Sequence, residues 1–132
     1  MLGLKLPTDP YWADIAERNL TEVLSDHAWC EQKAATNAIN LVVLNPERTD
    51  LVSAMLDIAE EEIQHFNAVH KLLVDRGLTL GRERKDEYVA ELFQLAVKGG
   101  SKQQALVDKL LFAALIEARS CERFRVLSEN LK

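Results

Sequence analysis

Glu62 and His65 stand three residues apart in the run Glu61-Glu62-Ile63-Gln64-His65-Phe66. On a helix this spacing sets two side chains next to each other, close enough to ligate one ion. The pair interrupts a stripe of Leu51, Met55, Ile58, Glu62, His65, Val69 and Leu72, spaced alternately four and three residues apart. Such spacing marks the core-facing side of a bundle helix. Two more segments show the same oddity. Glu31 falls within Leu24, His27, Glu31, Ala34, Ala38 and Leu41, and Glu117 within Leu106, Leu110, Ala113, Glu117, Ser120, Phe124, Leu127 and Leu131. A carboxylate on a dry face is unfavourable unless something compensates its charge. A metal ion would do so; the bland alternative is a buried ion-pair network with Lys33, Arg119 or Arg123. Carboxylates with imidazole suit iron or manganese better than structural zinc, which favours Cys and His.

Helices must position these groups. Thr8-Asp9-Pro10 reads as a cap followed by proline in the first turn, opening a short helix to about Arg18. A long helix follows from about 20 to 45, closed by Asn45-Pro46 because the residue before proline avoids the helical region. Thr49 or Asp50 caps a second long helix, which ends at Arg76 before Gly77. A linker occupies 78–84, a shorter helix about 85–98, and Gly99-Gly100 stops it. Ser101 and Gln104 have capping-box spacing at the head of the last helix, which carries no stop signal before Lys132. The reading is one all-α domain over 1–132, a four-helix bundle whose last helix is missing, as in a fragment of a longer protein.

The bulk figures agree with a globular helical chain. Of 132 residues, 48% are apolar and 28% charged, with five Gly and three Pro. No apolar run is long enough for a transmembrane helix, and no basic-then-apolar leader opens the chain. Two cysteines without an export signal fit a reducing cytoplasm. A net charge of −5 does not advertise nucleic-acid binding, so any RNA contact must be local. Two small basic clusters exist, Arg76, Arg82, Arg84 and Lys85, and Arg119, Arg123 and Arg125; composition alone favours a solvated face for both.

Three stretches carry a family resemblance. Asp26-His27-Ala28-Trp29-Cys30-Glu31-Gln32-Lys33-Ala34-Ala35, Glu61 to Phe66, and Ala114-Leu115-Ile116-Glu117-Ala118-Arg119-Ser120-Cys121-Glu122-Arg123-Phe124 resemble, in order, motifs of the tRNA 2-methylthio-isopentenyladenosine hydroxylase (MiaE) family. The last stretch is the most distinctive. The resemblance implies a ferritin-like fold and a non-haem centre of two iron ions. It also implies O2 as co-substrate and electrons from a reductase, used to hydroxylate the isopentenyl group of a hypermodified adenosine beside the tRNA anticodon. It makes Glu31, Glu62 and His65 metal ligands, with Glu62 bridging the irons. A further ligand is Glu117 or Glu122. The echo of Cys30-Glu31 in Cys121-Glu122 favours Glu122; the apolar stripe favours Glu117, the choice made here. His27, one turn before Glu31, reads as a support or proton donor to the site. The family completes its centre with a second Glu-x-x-His, and this chain has none. Self-association is one way to supply it. Asp26 is expected to hydrogen-bond a ligand imidazole, the small side chains of Ala34, Ala35 and Ala38 to let helices pack closely or else to leave room for substrate, and Cys30 and Cys121 to be small buried fillers. The rival reading is a ferritin-like storage or peroxidase protein without a tRNA substrate.

Overall fold

A computed structural model describes residues 5–130, which form five α-helices and, among the described residues, no strand. The helices are α1 (Trp12–Arg18), α2 (Leu20–Leu44), α3 (Thr49–Asp75), α4 (Glu87–Gln94) and α5 (Lys102–Asn130). Leu131 and Lys132, which the sequence reading placed in the last helix, lie outside the described residues. The helices divide into two compact units: residues 20–84 form one, and residues up to 19 together with those from 85 onward form the other.

The first unit is the α2–α3 hairpin with the segment that follows it. Asn45 closes α2 with its side-chain amide on Leu41 O at 3.0 Å, and Pro46 follows. Residues 45–48 make the turn. Neither Thr49 nor Asp50 caps α3: both lie inside its first turn, Arg48 holds the cap position without a side-chain bond, and Asp50 contributes its charge to the positive helix end instead. The far end of α3 follows the sequence expectation. Gly77 takes φ 67°, its N–H reaches Val74 O at 2.9 Å, and Leu78 N–H reaches Leu73 O at 2.9 Å. These are the two bonds of a Schellman cap, and a residue without Cβ adopts that backbone cheaply. Leu78 then packs on a core of Leu24, Ala28, Val69 and Leu73.

Residues 78–84 are fastened to α2. Gly81 accepts from Trp29 Nε1 and donates to Ser25 Oγ, both at 2.8 Å. A Cβ on Gly81 would meet Ser25 Oγ at 3.1 Å, so the close approach suits glycine. Arg84 forks onto Asp26, with Nε 3.1 Å from Oδ1, and its Nη1 lies 3.2 Å from Glu22. Lys33 pairs with Glu83 at 2.7 Å. Asp26 is therefore held by Arg84, which corrects the expectation that it supports a ligand imidazole. Lys33 likewise does not serve a core carboxylate.

In the second unit, α1 begins two residues after Pro10. Asp9 still works as the local stop, accepting from Tyr11 N–H at 2.9 Å through its side chain and from Trp12 N–H at 2.9 Å through its carbonyl. Helix α4 is shorter than expected. Asp86 caps its start through Val89 N–H at 3.2 Å, and past Gln94 the Val97 N–H turns to Asp108 Oδ2 on α5. Ser101 Oγ accepts from Gln104 N–H at 3.1 Å, as the capping-box spacing requires. Phe93 and Phe112 meet edge to face, 5.7 Å apart, and join α4 to α5.

Candidate metal centre

Both helices of the hairpin turn the expected stripe by about one position at alternate residues. On α2 the buried residues are Leu24, Ser25, Ala28, Glu31, Ala35, Ala38 and Leu41, so Ala28 and Ala35 replace His27 and Ala34 in the seam. On α3 they are Met55, Ala59, Val69 and Leu73, with Glu62 and Phe66 half-buried. Ile58, His65 and Leu72, read from the sequence as core, are exposed by 39%, 49% and 42%. The period was right and the direction of the stripe was off, because small alanines let the helix backbones meet along the Ala28–Ala35 and Ala59 lines.

Glu31 and Glu62 stay in the seam through this rotation, and His65 borders it. One donor atom from each of Glu31, Glu62 and His65 lies within 4.8 Å of the others. His65 Nδ1 is 3.5 Å from Glu62 Oε2 and 3.7 Å from Glu31 Oε2, and its Nε2 is 3.8 Å from Glu61 Oε1. His27 Nε2 is 2.9 Å from Glu31 Oε1. One Glu31 oxygen thus faces His27 and the other faces His65. Here the side chain of Glu31 is only 8% exposed.

Burial pushes the Glu31 carboxyl up, but hydrogen bonds with His27 and Glu62 and the nearby His27 and His65 imidazoles outweigh it. The net effect lowers it from 4.5 to about 2. A buried carboxylate held ionised, a second carboxylate and an imidazole converging on one point form a donor set for a divalent cation of the iron or manganese type. The residues present fit that group.

The α5 carboxylates belong to the other unit, and there the stripe expectation is corrected. Glu117 is exposed, with Cys121 Sγ 3.4 Å from its Oε1. Glu122 is buried, at 8% exposure. Its Oε1 accepts from Thr8 N–H at 3.0 Å and its Oε2 from Arg119 at 2.8 Å, while Arg119 also donates to Leu6 O at 2.8 Å. Apolar residues are spread widely around α5, so its period alone does not select a face. The segment at Leu6–Thr8 supplies the polar partners that let Glu122 be buried. Sequence reasoning missed this clasp; the Arg119–Glu122 spacing of three was its visible sign.

Other expected residues resolve simply. Cys30 is half-buried and Cys121 exposed, and neither forms a disulfide, so Cys121 is not the buried filler the sequence suggests. His70 is exposed and stacks on Phe66, whose edge meets Trp29. Ala35 lines an open hollow of about 600 Å³ between α2 and α3, with Ile39, Leu56, Ala59 and Ile63. No helix of the described residues is long and apolar enough to cross a membrane.

Comparison with known proteins agrees with the motifs. A protein of Pseudomonas putida named tRNA 2-(methylsulfanyl)-N(6)-isopentenyladenosine(37) hydroxylase is 36% identical over 128 residues, 97% of this chain and 62% of that one. A Salmonella typhimurium protein of the same name is 26% identical over 174 residues, 95% of this chain and 64% of its own. The chain therefore spans less than two thirds of the length of either relative. A solved structure, a Synechococcus protein described as having aldehyde deformylating oxygenase activity, superposes with a TM-score of 0.88 at 38% identity, covering 96% of this chain and 62% of that one. This match bears out the all-α, ferritin-like fold class. The family model described as tRNA-(MS[2]IO[6]A)-hydroxylase (MiaE) matches residues 2–132, and the chain belongs to that family.

Proposed function

We propose that this chain carries part of a di-iron centre that hydroxylates the isopentenyl group of a modified adenosine in tRNA. The observation that carries the reading is the convergence of Glu31, Glu62 and His65 within 4.8 Å, from two helices of a MiaE-family chain. The reaction takes O2, two electrons and two protons, inserts one oxygen atom into a C–H bond and releases the other as water. Two bound irons supply the activation of O2; a reductase supplies the electrons.

The residues of this chain have distinct tasks in that scheme. Glu31, kept ionised by its imidazole neighbours, gives a permanent anionic donor on the α2 side. Glu62, with a carboxylate oxygen within 4.8 Å of donor atoms of Glu31 and His65, would be the carboxylate shared between the metal ions. His65 gives its neutral imidazole as the nitrogen ligand. His27 orients Glu31 by holding Oε1, and its Nε2 is placed to hold or return a proton there. The hollow beside Ala35 and Ala59, one turn from Glu31 and from Glu62, offers apolar surface for a prenyl chain. A tRNA substrate goes with a cytoplasmic setting.

The test is in two parts. Anaerobic loading with ferrous iron followed by elemental analysis should find iron in the wild-type chain and none in Glu62→Ala. Unchanged iron in that variant refutes the ligand assignment. Incubating the iron-loaded protein with reductant, O2 and tRNA bearing the prenylated adenosine should add one oxygen atom to that nucleoside by mass spectrometry. Iron uptake with an unaltered nucleoside would point instead to a storage or peroxidase role.

A further inference from the structure

Glu31, Glu62 and His65 occupy one level of the α2–α3 hairpin, and the levels on either side differ in kind. The antiparallel helices place Ala35 and Ala59 on one side of it, where both line the hollow. At the centre Glu31 hydrogen-bonds with Glu62. On the other side Trp29 meets Phe66 edge to face, with ring centroids 6.1 Å apart. Phe66 directly follows His65 and lies one turn beyond Glu62. Alanines let two helix backbones approach, and large side chains hold them apart. The helix separation at the donor set is therefore fixed between a thin layer and a thick one.

The thick layer is oriented from outside both helices. Trp29 Nε1 donates to Gly81 O at 2.8 Å, 52 positions away. Gly81 N–H in turn donates to Ser25 Oγ at 2.8 Å, one turn before Trp29 on α2. Ser25 is only 2% exposed, and a Cβ on Gly81 would stand 3.1 Å from its Oγ. Leu78 and Leu80 of the same segment pack on Leu24, Ala28, Val69 and Leu73, which seats the segment against both helices. The outer torsion of a tryptophan side chain is soft. A bond from Nε1 to a fixed carbonyl therefore decides which edge of the indole meets Phe66.

We infer that Trp29 is a positioning residue for the metal centre. Residues 78–84 lock its indole, and the locked indole holds Phe66, and with it the Glu62–His65 turn of α3, at a set distance from Glu31. The inference rests on Glu31, Glu62 and His65 being ligands, and it adds a support that acts through Phe66. Metal–ligand distances tolerate only about 0.2 Å. A change of a few tenths of an ångström in helix separation is thus felt as lost affinity.

The experiment titrates the 132-residue chain anaerobically with Co(II), whose visible absorption bands report the geometry of its ligands. Trp29→Phe keeps a ring against Phe66 and removes only the donor. It should bind Co(II) about tenfold more weakly and shift the bands. Ser25→Ala leaves the indole intact and frees Gly81 N–H; it should shift the bands in the same direction. The double variant should bind no more weakly than Trp29→Phe, because both changes cut one route. Leu41→Val is a buried change farther along α2, past Ala35; it should lower the urea midpoint and leave bands and affinity as in wild type. Wild-type bands and affinity in Trp29→Phe, with lowered stability, overturn the inference and leave the ligand assignment standing. Additive losses in the double variant, or shifted bands in Leu41→Val, overturn it too. If Trp29→Phe loses its helical circular dichroism, Ser25→Ala decides by the same criteria. A wild-type chain that takes up no Co(II) would refute the ligand assignment, and the inference with it.

Discussion

Replacing Glu31 by Gln tests the electrostatics of the centre without any metal. In the metal-free chain the Glu31 carboxyl is lowered from 4.5 to about 2. A carboxylate depressed by folding stabilises the fold above its unfolded value and loses that contribution as pH falls towards its folded value. The full shift corresponds to an upper value of about 3 kcal/mol, and roughly 2 of those are gone by pH 3. The half-exposed His65 screens part of the interaction, so the measured figure should fall below that bound. Urea unfolding of wild type and Glu31→Gln, followed by circular dichroism at pH 6, 5, 4 and 3, gives the difference directly. Wild type should be the more stable at pH 6, and the gap should narrow steadily as the pH drops below about 4.5. A gap that is constant with pH would refute the reasoning, since it would show a packing effect and not a perturbed carboxylate. A gap of the opposite sign would mean that burial outweighs His27 and Glu62.

Three further outcomes follow from the same structure. Arg119→Ala should destabilise the fold by about 3 kcal/mol, since it strips the buried Glu122 of its cation and frees Leu6 O; a loss below about 0.5 kcal/mol would return Arg119 to an ordinary surface residue. Gly77→Ala meets no neighbouring atom, so its cost of about 1 kcal/mol should be purely that of the left-handed backbone and visible as a lower urea midpoint. Trp29→Phe removes the donor to Gly81 O and should cost about 1 kcal/mol while speeding amide exchange in residues 78–84. Unchanged exchange there would show that Arg84 and Ser25 hold the segment without it.

The sequence by itself determined the helices, because their stops are local: Asn45 before Pro46, Gly77 with φ 67°, and Ser101 over Gln104 all act within one turn. It also determined the Glu62–His65 pair, since residues three apart are neighbours on any helix. The motifs that resemble the MiaE family were legible for the same reason, and the family model agrees with them. Only the tertiary structure decided where each stripe faces. Periodicity fixes the angle between residues on one helix but not the helix's rotation toward its neighbours. Hence Ala28 and Ala35, not His27 and Ala34, entered the α2 seam, and Ile58, His65 and Leu72 came to the surface of α3. Partner choice was decided the same way. Asp26 went to Arg84 across 58 positions and Glu122 to Thr8 across 114, separations at which no sequence spacing carries information.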